Sequence, residues 1–311
     1  MPPYNDRCGT VYALAAVTGS LSLLSVVLRF IARSRKKAPY GPDDWWASTS
    51  LVTLLAWNGL VIWTAQHGWA YDNISLPPPI LTAYLKGIYF LSLSSGIPLT
   101  AAKFSVLCLY RRLFYLEKRF CTATTIVGVL CLLWFISFTV AASLICIPVD
   151  RFWNRLKPGS CYNYYAFMVA VECPNSFLDF VIVALPVGVI RGLHLPLRRR
   201  ILVCFIFALG GFVGVIGFIR ISILYRPNTL NSTLLGYWLQ IQLSIAVICT
   251  SLPTYGPILP SVTRVKGWYP SMSSVFQKRR QNSCSSSSSP NPKMALVPKL
   301  QESSSTTESS V

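Results

Sequence analysis

A bundle of seven membrane-crossing α-helices is the fold this chain predicts, and three observations predict it. Apolar stretches of about 20 residues recur seven times, the length that carries a helix across roughly 30 Å of hydrocarbon. Hydrophobic residues make up 53% of the chain and charged residues only 12%, about half the charge of a soluble domain. The basic residues then fall on alternate loops. Helices keep every backbone polar group bonded without water, so the class is all-α, polytopic membrane protein.

The spans follow in order. Span 1 (10–31) comes after a short, nearly neutral segment and is too long for the apolar core of a cleaved secretory signal. It is read as its own insertion signal. Span 2 (44–64) opens on Asp43 and Asp44, which suit an N-cap, and on Trp45 and Trp46, which suit an interfacial aromatic belt. Span 3 (86–109) carries Lys86 and Lys103 and ends in Tyr110, Arg111 and Arg112. Span 4 (121–144) leads into a loop bracketed by Cys146 and Cys161. Span 5 (165–190) holds Glu172, Pro174, Asn175 and Asp179, with a kink expected at the proline. Span 6 (201–223) holds Arg220, and span 7 (235–258) contains no lysine.

Charge sets the orientation. Four basic residues lie in each of three alternate segments: Arg33, Arg35, Lys36, Lys37; Arg111, Arg112, Lys118, Arg119; and Arg191, Arg198, Arg199, Arg200. Seven more lie after span 7, whereas the opposite loops hold only Arg7, Arg151, Arg155, Lys157 and Arg226. Lys and Arg stay on the cytoplasmic side of short loops, which places the N-terminus outside and the C-terminus in the cytoplasm. The formal charge of +18 is therefore a topology signal. Without a basic stripe on a folded soluble surface, a nucleic-acid partner is excluded.

Two features agree with this orientation. The sequons at Asn73 and Asn231 both fall in outer loops, with Asn231 close to the membrane. Cys146 and Cys161 bracket an outer loop where oxidising conditions permit a disulfide. Cys8 lies on the same side and is an alternative partner for either. Cys108, Cys121, Cys131, Cys204 and Cys249 sit in apolar stretches and read as small buried hydrophobes. The chain divides near residue 262. Beyond it a basic, Ser-rich segment with little to bury is expected to be a disordered cytoplasmic tail carrying phosphorylation sites.

Charge inside hydrocarbon is costly and faces the bundle interior, so the intramembrane polar residues are the candidate functional set. At 1.5 Å per residue, Lys103 lies about 25 Å into span 3 and Asp179 about 21 Å into span 5, depths that allow a pair. Glu172 and Arg220 share the outer half, and Arg29 and Asp44 the inner face. Simpler readings compete at each. Arg29 and Lys86 can snorkel to the interface, Asp43 and Asp44 can serve as caps alone, and Asn175 with Asp179, on one helix face, can be interhelical glue.

The run Tyr40-Gly41-Pro42-Asp43-Asp44-Trp45-Trp46 after a basic loop resembles the G-x-D-D-W signature of the fungal rhodopsin-domain integral membrane proteins. Further similarities follow in order: Lys103 with Leu109 through Phe114, Cys146-x-Pro148 with Trp153 and Cys161, then Asn175, Asp179 and Leu185-Pro186. Gly210, Arg220-Ile221 and Leu252-Pro253 complete the set, which covers about residues 10–262. The resemblance implies a multi-pass protein, and the family's inclusion of a satratoxin-cluster membrane protein implies a tie to secondary metabolism. Two positions depart from the family: the first outer loop reads Ala65-Gln66-His67-Gly68-Trp69, and a common glutamate of the last span is Gln242. If that acid handles ions or protons in relatives, this chain lacks the activity.

A retinal Schiff base needs a buried lysine amine, normally on the last span. Span 7 has none, and an ion pair with an acid is the simpler role for Lys103, so no cofactor is expected. His67 and His194, the only histidines, lie on opposite faces and cannot form one metal site, and no nucleophile–base pair is apparent. The chain is not expected to be an enzyme. Two functions remain, with the plasma membrane as the expected location. One is a membrane accessory or transporter of a toxin-type metabolite pathway, the other a receptor-like sensor of an extracellular ligand with a cytoplasmic signalling partner. Span 3 ends Tyr110-Arg111-Arg112 where typical G-protein-coupled receptors carry D/E-R-Y.

Overall fold

The structure, a computed structural model, describes residues 7–35, 37, 39–69, 78–115, 117–154, 156–191, 210–222 and 231–255. Seven helices account for most of them: α1 (Arg7–Arg35), α2 (Pro42–Thr64), α3 (Pro78–Leu113), α4 (Lys118–Ser143), α5 (Tyr164–Arg191), α6 (Gly210–Ser222) and α7 (Asn231–Tyr255). Six are long and apolar enough to cross a membrane; α6 is the shorter exception. The expected sixth span begins at residue 201, and its first half lies outside the described residues, as do Asn73, His194 and the tail.

The helices are apolar on their outer faces as well as in the core. Ile126, Leu133 and Val140 recur at seven-residue spacing on α4 and are half-exposed, as are Val17, Leu21 and Leu24 on α1. Arg29, Asp43, Asn175, Gln242 and Thr250 are fully buried. Polar groups seek one another inside while aliphatic faces turn outward, the distribution that suits lipid as solvent.

α3 is the central helix, packing on α2, α4, α5 and α7, while α1 lies against α2 and α7. The core between α1, α2, α3 and α7 is filled by Val26, Leu51, Leu54, Trp57, Leu99, Leu243 and Val247, and a second cluster, around Leu107, Val127 and Ile182, joins α3, α4 and α5. α6 reaches α5 through glycines. A Cβ on Gly210, Gly214 or Gly217 would run into Val183, Phe180 or Ser176, most tightly at Gly217. Small residues at such spacing let two backbones approach closely.

Helix ends follow the local sequence. Pro42 starts α2 at the first helical position, and the Asp44 carboxylate accepts the Gly41 N–H at 3.1 Å. α2 ends in a single π-turn, Ala65–Trp69, where His67 stacks on Trp63. Between α4 and α5, β1 (Cys146–Ile147) pairs antiparallel with β2 (Ser160–Cys161). Cys146 and Cys161 are disulfide-bonded across that register, so neither is available to Cys8. Of the other cysteines expected to be buried, Cys131 is; Cys108, Cys121 and Cys249 are partly exposed, and Cys204 lies outside the described residues. A thiol is apolar enough to lie against lipid, which explains the difference.

Candidate functional site

On α5, Glu172, Asn175 and Asp179 stand at i, i+3 and i+7 and so share one face of the helix. From α3, Lys103 Nζ reaches across to Asp179 Oδ1 at 3.0 Å and donates to the Asn175 carbonyl at 2.9 Å and Asn175 Oδ1 at 2.8 Å. The Asn175 amide continues to Glu172 Oε1 at 3.4 Å. Glu172 Oε2 accepts from Arg220 Nη1 of α6 at 2.6 Å. Gln242 of α7 closes the set, donating to Glu172 Oε1 at 2.8 Å and accepting from Arg220 at 3.0 Å. Two cations and two carboxylates on α3, α5 and α6 thus form one buried network that the uncharged α7 amide completes. Pro174, which has no N–H to donate, lies in the same stretch of α5, and the Val171 carbonyl there accepts Trp134 Nε1 at 3.1 Å.

A second cluster ties the other end of the bundle. Arg29 is fully buried and meets Asp43 at 2.6 Å and Asp44 at 2.9 Å, and it also donates to the Thr250 carbonyl of α7. Arg33 joins the same two carboxylates. Arg112, more exposed, reaches Asp43 at 3.3 Å, and Ser105 donates to the Asp43 carbonyl at 2.8 Å. The N-cap expected at these acids is corrected: Gly41 caps α2, Asp44 closes the cap from the third helical position, and Asp43 serves only the pairing that locks α1, α3 and α7 to α2. Snorkelling is corrected for Arg29, because an interior pair of carboxylates is a better partner than the interface. Lys86 is exposed, its ammonium 5.6 Å from the Trp153 ring.

Between the charged network and the disulfide loop lies a cavity of about 730 Å³. Trp57, Tyr84, Leu91, Leu99, Trp134 and Phe138 supply much of its wall, Cys146 and Cys161 border one end, and Glu172 and Arg220 lie among its lining at the other. Volumes of roughly 300–1,000 Å³ with apolar walls and a few convergent polar groups are those of small-molecule sites. Ser92, Ser95 and Gly96 on α3 keep the near wall thin. Among the described residues no group of three His, Cys, Asp or Glu side chains is placed to hold a metal ion.

The structure thus brings Lys103 to Asp179, Glu172 to Arg220, and Arg29 to Asp43 and Asp44, with Asn175 bridging the first two pairs. Asn231 is the first residue of α7. Sequence reasoning missed Arg33 and Arg112, whose charges were read only as cytoplasmic loop signals. It also missed the bridging role of Gln242 and the aromatic cavity itself.

Ion pairs inside, aliphatic faces outside and a chamber of small-molecule size define a multi-pass helical membrane protein. The chain belongs to the fungal rhodopsin domain family, whose sequence model matches residues 28–261. It is 28% identical over 251 residues to a protein described as wortmanamides biosynthesis cluster protein C from Talaromyces wortmannii, covering 78% of this chain and 68% of that one. It is 30% identical over 179 residues to satratoxin biosynthesis SC1 cluster protein 4 of Stachybotrys chartarum, covering 57% of this chain and 64% of that one. A SAT4 family membrane protein of Emericella nidulans is 23% identical over 231 residues, covering 72% of this chain and 56% of that one. No solved structure matches.

Proposed function

We propose that this protein is a membrane accessory of a secondary-metabolite pathway that holds an apolar small molecule in the cavity between α2, α3, α4, α5 and α7, without catalysing a reaction. The carrying observation is the aromatic-walled chamber of about 730 Å³ bordered by the Glu172–Arg220 pair. Relatives whose names place them in biosynthesis clusters support the pathway role. The basic loop residues and the disulfide at opposite ends of the bundle support an N-terminus outside and a cavity reached from the extracytoplasmic side, at the plasma membrane.

A receptor reading shares the cavity and differs in output. The observation that favours it is the charged lock of α1, α2, α3 and α7 at the far end, a place where ligand occupancy can be turned into a cytoplasmic signal. Recruitment of a G-protein α subunit on ligand addition separates the two readings.

The experiment is to replace the chromosomal gene with Ser95→Phe, which fills the cavity from α3 where Ser95 lines it. At wild-type protein level, the variant reproduces the secondary-metabolite profile of the deletion strain. A wild-type profile from a fully expressed Ser95→Phe protein contradicts the proposal.

A further inference from the structure

We propose that the cavity selects an uncharged ligand, apolar along its body and ending in a neutral hydrogen-bonding group such as a hydroxyl or amide, and that Gln242 sets this selection. The inference rests on the reading of the cavity as a ligand site. It concerns which chemistry that site accepts.

The wall fits the body. Trp57, Tyr84, Trp134 and Phe138 line it with aromatic side chains, together with Leu91 and Leu99. Flat or conjugated apolar surface gains most from such a wall. Among the described residues, Arg151 is the one other charged residue lining the cavity, and it is engaged near the disulfide loop with the Lys157 carbonyl at 2.7 Å.

The inner end fits the head. Lys103, Glu172, Asp179 and Arg220 carry two charges of each sign, so the network is neutral as it stands. An ionised head arriving beside it adds a charge with no counter-ion in a low-dielectric interior, which is strongly unfavourable. A neutral head adds none and still finds hydrogen bonds. Arg220 is 9% exposed, borders the cavity and keeps Nε without a hydrogen-bond partner among the described residues.

Gln242 is the residue that keeps the balance. Fully buried, its amide donates to Glu172 and accepts from Arg220, completing both groups without charge. A glutamate there sets two carboxylates against one guanidinium and leaves a net negative charge, which favours a protonated amine. Conversely, Glu172→Gln leaves a net positive charge and favours a carboxylate.

The test uses the full chain in phosphatidylcholine nanodiscs with three fluorescent probes of one shape: 9-anthracenemethanol, 9-anthracenecarboxylate and 9-anthracenemethylamine at neutral pH. Binding is read as tryptophan-to-anthracene energy transfer in excess of the Ser95→Phe variant, which removes the contribution of probe dissolved in lipid. The wild type is expected to bind the alcohol at least tenfold more tightly than either ion. Gln242→Glu moves the preference to the amine, and Glu172→Gln moves it to the carboxylate. Equal binding of alcohol and carboxylate by the wild type, or an order unchanged in both folded variants, overturns the inference and leaves the cavity reading standing. Failure of all three probes to exceed the Ser95→Phe signal, with the wild type folded, removes the cavity reading and this inference together.

Discussion

Lys103 Nζ lies 3.0 Å from Asp179 Oδ1 and within 2.9 Å of two oxygens of Asn175, so all three ammonium N–H groups have acceptors. Burial of a charge is tolerated only when it is matched in this way. Removing one partner leaves the other uncompensated, at about 3–5 kcal/mol. Asp179→Ala and Lys103→Ala should each sharply lower the thermal stability of the detergent-purified protein. The double substitution should lose less than the two single losses added together. Strict additivity in that cycle sinks the pairing as an energetic unit.

The Arg29 cluster separates a buried pair from an exposed one on the same carboxylate. Arg29 is fully buried between Asp43 and Asp44, whereas the Arg112 side chain is 36% exposed. Arg29→Ala should cost several kcal/mol, and Arg112→Ala no more than about 1 kcal/mol because water screens it. Chemical denaturation of the two variants side by side checks the ranking.

Gly217 permits the approach of α6 to the Glu172 end of the network. A methyl there would run into Ser176 Oγ and lie 3.0 Å from Glu172 Oε1, whereas one at Gly211 meets nothing within 4 Å. Gly217→Ala is predicted to cost about 1–3 kcal/mol by overpacking, and Gly211→Ala to be near neutral. Melting curves that place both variants together contradict this account of α6.

The loop closed by Cys146 and Cys161 has a sequence separation of 15. In the chain-entropy model its closure is worth about 3 kcal/mol. Cys146→Ser/Cys161→Ser should melt lower by a corresponding amount, and the wild type treated with reductant should match it. An unchanged melting temperature after complete reduction, verified by thiol counting, argues against the contribution.

Much of this site could be read from the chain because depth along a span follows from residue count. Lys103 with Asp179 and Glu172 with Arg220 were matched by rise per residue alone, and a buried charge must find its opposite. Arg33 and Arg112 escaped because a basic residue at a helix end serves topology and pairing alike, and the pattern of positive loops shows only the first. Gln242 was read as a missing acid; that its uncharged amide joins Glu172 to Arg220 depends on how α6 and α7 face α5. The cavity escaped for a related reason. Trp57, Tyr84 and Trp134 are far apart in sequence, and each alone is indistinguishable from a packed or lipid-facing aromatic.

The most direct measurement is cysteine accessibility within the chamber. Ser92 lines the cavity on α3, and Ser92→Cys can be treated in intact cells with a membrane-impermeant methanethiosulfonate applied outside. Modification above that of the unsubstituted chain, and its suppression when Ser95→Phe is added, is the predicted result. A folded Ser92→Cys protein that reacts only after the cells are opened contradicts an outward-facing chamber, and with it the functional account built on that chamber.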